Sequence, residues 1–220
     1  MTTVPVIAVD GPSASGKGTV AQMVAKALGF HYLDSGALYR VVALAAAREG
    51  VDAADEGEVS AVAARLQVHF NGEEVLLGNQ SVTDDIRTEE CSIAASRVAA
   101  LPAVRRALLE RQRSFRKAPG LVAEGRDMGS VVFPDAELKI FLTASPEARA
   151  GRRYKQLKEK GIAATLAGLL QDLRERDARD ASRSVAPLKR SPDARQLDTT
   201  EMSAAEAAAR IVGWYRGANG

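Results

Sequence analysis

The segment Gly11–Lys17 has the composition and spacing of a loop that wraps around phosphate groups. It fits the pattern G-x-x-x-x-G-K and lies between a Val/Ile-rich run (Val4–Val9) and a helical apolar pattern (Thr19–Leu28). Glycines let the backbone bend around an anion, its amides then point inward, and the following helix adds the positive end of its dipole. Lys17 can neutralise charge on the β- and γ-phosphates. The motif predicts that a nucleoside triphosphate is bound by Gly11, Pro12, Ser13, Ala14, Ser15, Gly16, Lys17, Gly18 and Thr19.

The position after Lys17 departs from the usual form of this motif. Gly18 stands where a serine or threonine usually binds magnesium, and Thr19 follows one residue later. The direct metal ligands are therefore unknown at this point, with Thr19 acting through water as one option.

A second candidate anion site follows the predicted strand Phe30–Leu33. Ser35 is predicted to cap a helix that runs to about Arg48, and Ser35 together with the helix N-terminus can hold an anion. Arg40, one turn further on, can clamp that anion with a forked pair of hydrogen bonds. The alternative is an ordinary serine N-cap with Arg40 on the surface.

A third group of polar residues, Glu124-Gly125-Arg126-Asp127, follows the predicted strand Leu121–Ala123. In parallel sheets, ligands bind beyond the carboxyl ends of the strands. Arg126 could hold a phosphate there, and Asp127 could accept a hydrogen bond from an exocyclic amine such as cytosine N4. The alternative is an ion pair on the surface.

A fourth group has helical spacing, with Arg176, Asp180 and Arg183 at i, i+4 and i+7. If the helix extends that far, the two arginines could stabilise a phosphoryl group in the transition state. The alternative is an exposed face of ion pairs. An acceptor that is itself a phosphate is already an anion and needs cations rather than a carboxylate base, so these arginine-rich groups favour a phosphate acceptor.

Composition narrows the class of protein. The 220 residues are 46% hydrophobic and 26% charged, which is typical of a folded protein. No apolar run approaches the roughly 18 residues of a membrane span, and the N-terminus shows no signal-peptide pattern. A net charge of +2 argues against binding a nucleic-acid polymer. With one cysteine and two histidines, neither an internal disulfide nor a Cys-rich zinc site is expected, and we expect a cytoplasmic protein.

Alternating strand and helix patterns predict an α/β fold around a parallel sheet. The segment 51–101 differs, since it contains 10 acidic and 3 basic residues and several short extended runs. We predict an inserted acidic lobe at 51–101 and a core formed by 1–50 and 102–220. The lobe is predicted to contain a helix at Glu58–Leu66, strands at Gln67–Phe70, Glu74–Leu77 and Gln80–Val82, and turns at Asn71-Gly72 and Gly78-Asn79.

The rest of the core is predicted to continue this alternation. Gly161 is expected to interrupt the helical pattern that follows Pro146. The predicted elements are a helix from Pro102 to about Lys117, a strand at Leu138–Leu142, a helix from Pro146 to about Lys160, an amphipathic helix around Leu166–Leu173, a strand at Gln196–Asp198 and a final helix around Ala205–Val212.

Five motifs together resemble the bacterial cytidylate kinase family. Their order and spacing are compatible with that family over nearly the whole chain. They are Gly-Pro-Ser-Ala-Ser-Gly-Lys-Gly-Thr (11–19), Leu-Asp-Ser-Gly-Ala-Leu-Tyr-Arg (33–40), Glu-Gly-Arg-Asp-Met-Gly (124–129), Val-Phe-Pro-Asp-Ala (132–136) and Arg-Ser-Val-Ala-Pro-Leu (183–188).

The resemblance implies phosphoryl transfer from ATP, with Mg²⁺, to CMP or dCMP. It implies a P-loop NTPase core, an inserted monophosphate-binding lobe and a short lid near 150–165; we also expect a monomer. By this resemblance, Ser35, Arg40 and Arg126 lie near the CMP phosphate and sugar, Ser96, Arg105 and Asp127 recognise cytosine, and Arg176 and Asp180 reach the ribose. The catalytic group would comprise Lys17, Arg126, Arg153, Arg176 and Arg183, with Arg152 as a further candidate.

The lid prediction has a physical basis in charge. Six cations would repel one another until ATP neutralises them and favours closure. They are Arg149, Arg152, Arg153, Lys155, Lys158 and Lys160.

Two other functions remain open at this point. One is a kinase for a small molecule such as shikimate, which would leave Arg126 and Asp127 without a base to recognise. The other is a regulator that binds ATP without transferring its phosphate.

Overall fold

The computed structural model describes residues 4–71, 74–159, 161–183 and 185–218. They form two compact units, one from the described residues of Met1–Leu33 and Phe115–Gly220, the other from Asp34–Ser114. The predicted lobe at 51–101 falls within the second unit, and its bounds stay a prediction. Gly72 of the predicted turn, Lys160 of the predicted lid and Ser184 of the fifth motif lie outside the described residues.

The helices and strands follow one another in a mostly alternating order. In chain order they are β1 (Val6–Asp10), α1 (Lys17–Leu28), β2 (His31–Asp34), α2 (Ser35–Arg48), α3 (Glu56–Arg65), β3 (Val68–Asn71), β4 (Glu74–Leu77), β5 (Gln80–Ser81), α4 (Glu89–Val98), α5 (Pro102–Arg113), β6 (Leu121–Gly125), β7 (Leu138–Thr143), α6 (Pro146–Glu159), α7 (Leu166–Ser182), β8 (Arg195–Asp198) and α8 (Ala204–Ala218).

A five-stranded sheet in the order β2-β6-β1-β7-β8 forms the centre of the first unit. β1 runs parallel to both β6 and β7, and β7 runs parallel to β8. β1 and β6 are buried along their whole length. Their apolar runs Val6–Val9 and Leu121–Ala123 suit a central parallel strand, and each strand also carries one buried carboxylate, Asp10 or Glu124. The register places Asp10 opposite Gly125, so the segments that follow β1 and β6 start at the same edge of the sheet. The predicted parallel α/β core is confirmed.

Helices α1 and α8 cover this sheet with small and branched side chains. Val20 and Val24 of α1 join Ile211 of α8 in one buried cluster with the strand residues Val9 and Ile140. A smaller cluster holds α6 and α7 together through Ala150, Leu157, Leu169 and Leu173. The second cluster fixes the helices that carry Arg152, Arg153 and Arg176.

The second unit packs α2 against α4 and α3 against α5, and contains the antiparallel sheet β3-β4-β5. The helix predicted to reach Lys117 ends at Arg113, so that part of the prediction is wrong. The Ser114 hydroxyl donates to the Arg111 carbonyl, a local bond that competes with helix continuation. Of the described helices, none is long and apolar enough to cross a membrane.

Candidate active site

The loop between β1 and α1 has the tight backbone that the motif predicts. Ala14 and Gly16 adopt positive φ angles of 57° and 87°, and Gly16 immediately precedes α1. A Cβ at Gly11 would lie 2.0 Å from the carbonyl oxygen of Leu142 on β7. No larger residue can replace Gly11 without moving the backbone of one of the two strands.

Two arginines of α6 hold the loop by its carbonyl groups. Arg149 Nη1 donates to the Ser13 carbonyl at 3.1 Å, and Arg152 Nη1 donates to the Ser15 carbonyl at 3.0 Å. Arg149 is buried and also forms an ion pair of 2.5 Å with Asp177 of α7. The prediction that Arg149 is one of the mutually repelling lid cations is therefore wrong, because the Asp177 carboxylate already compensates its charge.

Arg152 also contacts the end of β8. Its guanidinium donates to both the hydroxyl and the carbonyl oxygen of Thr199. The Thr199 hydroxyl in turn lies 3.1 Å from the Thr143 carbonyl at the end of β7. Thr199 was not among the predicted site residues, and no local pattern in the sequence distinguishes it.

Lys17 lies beside a carboxylate of the neighbouring strand. Its Nζ is 3.5 Å from Glu124 Oε2, and Tyr32 donates to Glu124 Oε1 at 3.2 Å. This arrangement accounts for Gly18, the departure from the usual motif. A Cβ at Gly18 would come within 3.1 Å of Glu124 Oε1, so a serine or threonine would crowd the carboxylate that contacts Lys17.

A cavity of about 570 Å³ opens along the loop. Its lining combines cations with apolar side chains, which suits a ligand with both phosphates and a flat base. Ser15 Oγ is buried and makes no hydrogen bond to the described residues, which fits a group that bonds to a phosphate oxygen. The lining includes all residues from Ala14 to Val20, Arg152 and Arg153 of α6, and Met202, Ala204 and Ala207 near the start of α8. None of the last three was predicted from the sequence.

Asp180 forms the centre of a buried charge cluster at the end of α7. It accepts hydrogen bonds from Arg126 Nε at 2.8 Å and from Arg183 Nη2 at 2.5 Å. Burial would raise the pKa of Asp180, but Arg126, Arg183 and Arg176 outweigh it and the pKa is lowered. The alternative of an exposed ion-paired face is thus wrong for Asp180 and Arg183, although α7 itself ends at Ser182.

The segment that carries Arg126 and Asp127 is anchored by Asp10. Both Asp10 oxygens accept backbone hydrogen bonds, from Met128 N at 2.8 Å and from Gly129 N at 2.9 Å. These amides begin a π-helical turn, Met128–Val132, that follows the buried Asp127. Asp10 is also the last residue of β1, so it connects the start of the phosphate loop to the Arg126-Asp127 segment.

The charge of Asp10 makes stability depend on pH. Burial raises the pKa of Asp10 from 3.8 to about 6, even though the two backbone hydrogen bonds lower it. Between these values the folded state binds more protons than the unfolded state, so its stability falls as pH rises from about 4 to 6. At about 1.4 kcal/mol per pKa unit, the loss is about 3 kcal/mol.

The matched comparison is urea unfolding of the wild type and Asp10→Asn at several pH values from 4.5 to 7.5. As the pH rises across this range, we expect the unfolding free energy of the wild type to fall relative to that of Asp10→Asn. Asp180 would not interfere, because its lowered pKa puts its own titration below this window. Parallel pH profiles for the two proteins would show that Asp10 does not titrate there.

In the second unit, Ser35 is not the helix cap that was predicted. Asp34 caps α2, accepting a hydrogen bond from Ala37 N at 3.0 Å, because its longer side chain reaches the third amide. Ser35 is the first helical residue, is buried, and accepts a hydrogen bond of 3.0 Å from Gln112 Nε2 of α5. The predicted alternative in which Ser35 caps the helix is therefore wrong.

The other predicted residues of the second unit are fixed by backbone carbonyls or by burial. Arg40 donates to the Ile86 carbonyl at 3.2 Å. Arg105 donates to the Ala99 carbonyl at 3.1 Å, and its guanidinium lies 5.7 Å from the centre of the Tyr39 ring. Ser96 is buried on α4.

Metal-binding clusters are not found in the described part of the chain, where no three His, Cys, Asp or Glu side chains group in that way. A cation that entered together with phosphate groups would not require such a cluster, because Mg²⁺ keeps several waters and takes its other oxygens from the phosphates.

A phosphate loop at the carboxyl end of the central strand, with arginines around its cavity, is the arrangement of a P-loop kinase. The fold is similar to a solved shikimate kinase from Acinetobacter baumannii in complex with shikimate (TM-score 0.50, 19% identity, 98% of this chain and 94% of that one). It is also similar to an uncharacterized protein from Eubacterium ventriosum (TM-score 0.51, 12% identity, 96% and 98%). At these identities the likeness concerns the fold.

Sequence comparison is more specific. The cytidylate kinase family profile matches residues 7–216. A cytidylate kinase of Chromobacterium violaceum is 60% identical over 213 residues, covering 97% of this chain and 96% of that protein. Another, from Pseudomonas aeruginosa, is 59% identical over 206 residues, covering 91% and 90%. The chain belongs to the cytidylate kinase family, as the five motifs predicted.

Proposed function

We propose that this protein catalyses the reversible transfer of the γ-phosphoryl group of ATP to CMP or dCMP, giving ADP and CDP or dCDP. The observation that carries the proposal is the shared sheet edge at which the phosphate loop and the Arg126-Asp127 segment both begin. Asp10 reinforces this arrangement because it ends β1 and anchors the turn that follows Asp127.

On the donor side, the loop Gly11–Thr19 would hold the phosphates of ATP through its amides, Ser15 Oγ and Lys17. Met202, Ala204 and Ala207 would pack against the base. Mg²⁺ would arrive with ATP and neutralise part of the charge on its β- and γ-phosphates. Thr19, which lines the same cavity, would bind Mg²⁺ through water.

On the acceptor side, Ser35, Arg40 and Arg126 would hold the CMP phosphate. Ser96, Arg105 and Asp127 would recognise cytosine, and Arg176 with Asp180 would bind the ribose. A phosphate acceptor needs no base, so catalysis would rest on positioning and on cations that stabilise the spread negative charge of the transition state. Those cations would be Lys17, Arg126, Arg153, Arg176 and Arg183.

We also propose a cytoplasmic monomer with a lid over about 150–165. Arg153 and Lys155 line the cavity from α6, so ATP would be in reach of these cations. Arg149 takes no part in the lid because it is paired with Asp177.

The test is an ADP-release assay with Mg-ATP and a panel of acceptors: CMP, dCMP, UMP, AMP, shikimate and none. Fast turnover with CMP and dCMP, slow turnover with UMP and none with the others is the expected result. Turnover with shikimate would indicate the small-molecule kinase instead. ADP release that is independent of any acceptor would indicate an ATPase or an ATP-binding regulator.

Asp127→Asn tests the proposed reading of the base. The amide keeps the shape of the carboxylate but replaces one acceptor with a donor that faces the cytosine amine. A good base contact contributes about 1–3 kcal/mol, so we expect KM for CMP to rise about 10- to 100-fold while the Kd of ATP stays within about twofold. The exposed Asp135→Asn is the matched control. Equal losses of affinity for both nucleotides would contradict the role of Asp127.

A further inference from the structure

The Ser35 hydroxyl is held by a single well-defined contact inside the second unit. Gln112 Nε2 lies 3.0 Å from Ser35 Oγ, and both residues are almost fully buried, at 1% and 3% exposure. Asp34 caps α2, so the Ser35 hydroxyl is not used for capping. Of the residues that the structure describes, none accepts the Ser35 proton.

The direction of this hydrogen bond decides what the hydroxyl can do next. An amide nitrogen can only donate, so Ser35 Oγ must be the acceptor in this contact. The Ser35 proton is therefore left to be donated to another group. Because Ser35 is the first residue of α2, that proton lies beside backbone amides at a helix N-terminus, where an anion is favoured.

Gln112 occupies a position that packing alone would give to an apolar residue. The buried face of α5 consists of Val104, Arg105, Leu108 and Gln112. A buried amide is costly unless it is hydrogen-bonded, so its place on this face indicates a specific task.

We propose that Gln112 is a positioning residue for the acceptor phosphate: by donating to Ser35 Oγ, it leaves the Ser35 hydroxyl to donate its proton to a phosphate oxygen of the nucleoside monophosphate. This inference rests on the proposed function and adds to it a residue that does not itself touch the substrate. Gln112 acts through Ser35 and contributes to binding of the phosphate, but not of the nucleoside.

The test compares two ligands that differ only in the phosphate. Dissociation constants for CMP and cytidine are measured by titration calorimetry, with cytidine as a competitor of CMP where its binding is weak. In Gln112→Glu the new carboxylate accepts a hydrogen bond from the Ser35 hydroxyl. The lone pairs of Ser35 Oγ, instead of its proton, then face the ligand. Hydrogen bonds to charged groups are strong, so we expect CMP to bind about 10- to 100-fold more weakly and cytidine to change less than twofold.

A double-mutant cycle separates this role from a structural one. Introduced into the wild-type protein, Gln112→Met should weaken CMP binding. Introduced into the Ser35→Ala variant, it should weaken CMP binding no further. Ser35→Ala alone should lose affinity for CMP but not for cytidine, and it is expected to fold because Asp34 caps the helix. The exposed Gln80→Glu, which introduces the same charge, is the control.

Additive effects of the two substitutions, or equal losses of CMP and cytidine affinity, would overturn the proposal. If a Gln112 variant does not fold, the proposal can still be overturned by Ser35→Ala alone, provided that this variant loses affinity for CMP and cytidine equally. The acceptor panel with the wild-type enzyme is measured first. If the wild-type enzyme shows no turnover with CMP, both the proposed function and this inference are wrong. If the wild-type enzyme turns over CMP normally but the effects of the two substitutions are additive, only the role of Gln112 is wrong.

Discussion

Replacing Lys17 with methionine is expected to lower kcat by on the order of 10³, measured at saturating ATP and CMP. Methionine preserves much of the length of the side chain but removes the charge that would stabilise the phosphoryl group in transfer. The loss has a second cause, because Glu124 would no longer face the Lys17 cation at 3.5 Å and would repel the incoming phosphates. ATP binding should therefore weaken as well.

These two causes can be separated with a second substitution. Lys17→Met combined with Glu124→Gln should recover part of the ATP affinity, because the repulsion is gone, but should recover little of kcat. Lys26→Met is the matched control, since Lys26 is an exposed lysine on the same helix and should behave like the wild type. A fall in kcat of less than tenfold in Lys17→Met would exclude Lys17 from the catalytic group.

Asp180→Asn is expected to destabilise the protein by about 3–5 kcal/mol, the usual cost of removing one partner from a buried charge cluster. The amide would face Arg126 and Arg183 without a compensating charge. For a chain of this size the loss corresponds to a fall in Tm of roughly 10 °C. Because Arg126 would also lose its anchor, KM for CMP should rise.

The control for this substitution is Asp193→Asn. Asp193 pairs with Lys139 at 2.6 Å but is largely exposed, and exposed pairs contribute at most about 1 kcal/mol. Thermal unfolding followed by circular dichroism compares the two variants. If both lower Tm equally, the Asp180 cluster has no special importance for stability.

The phosphate loop and the strand that precedes it could be predicted because both are encoded locally. Glycine spacing, an apolar run and a helical pattern within the first 28 residues were sufficient to place β1, the loop and α1 in order. The helix cap of α2 was predicted one residue too late, because Asp34 and Ser35 are both good caps and only the geometry shows which side chain reaches the amide.

The residues that support the site could not be predicted because their contacts are distant in sequence. Gln112 contacts Ser35 across 77 residues, and Asp10 contacts Met128 across 118. In the sequence, Gln112 is one more polar residue in an arginine-rich helix, and Asp10 is the residue before a turn. The role of a buried amide or a buried carboxylate can be assigned only when the fold shows which backbone groups and side chains it contacts.

Because two arginines from α6 bind the phosphate loop, the affinity of the loop for anions does not depend on the loop sequence alone. In a trans peptide the carbonyl and the amide point in opposite directions. By binding the carbonyls of Ser13 and Ser15, Arg149 and Arg152 turn the amides of Ala14 and Gly16 the other way. Transplanting the nine residues Gly11–Thr19 into another strand-loop-helix scaffold would therefore transfer the motif without the contacts that orient its amides. A designer would need to transplant α6 together with the loop.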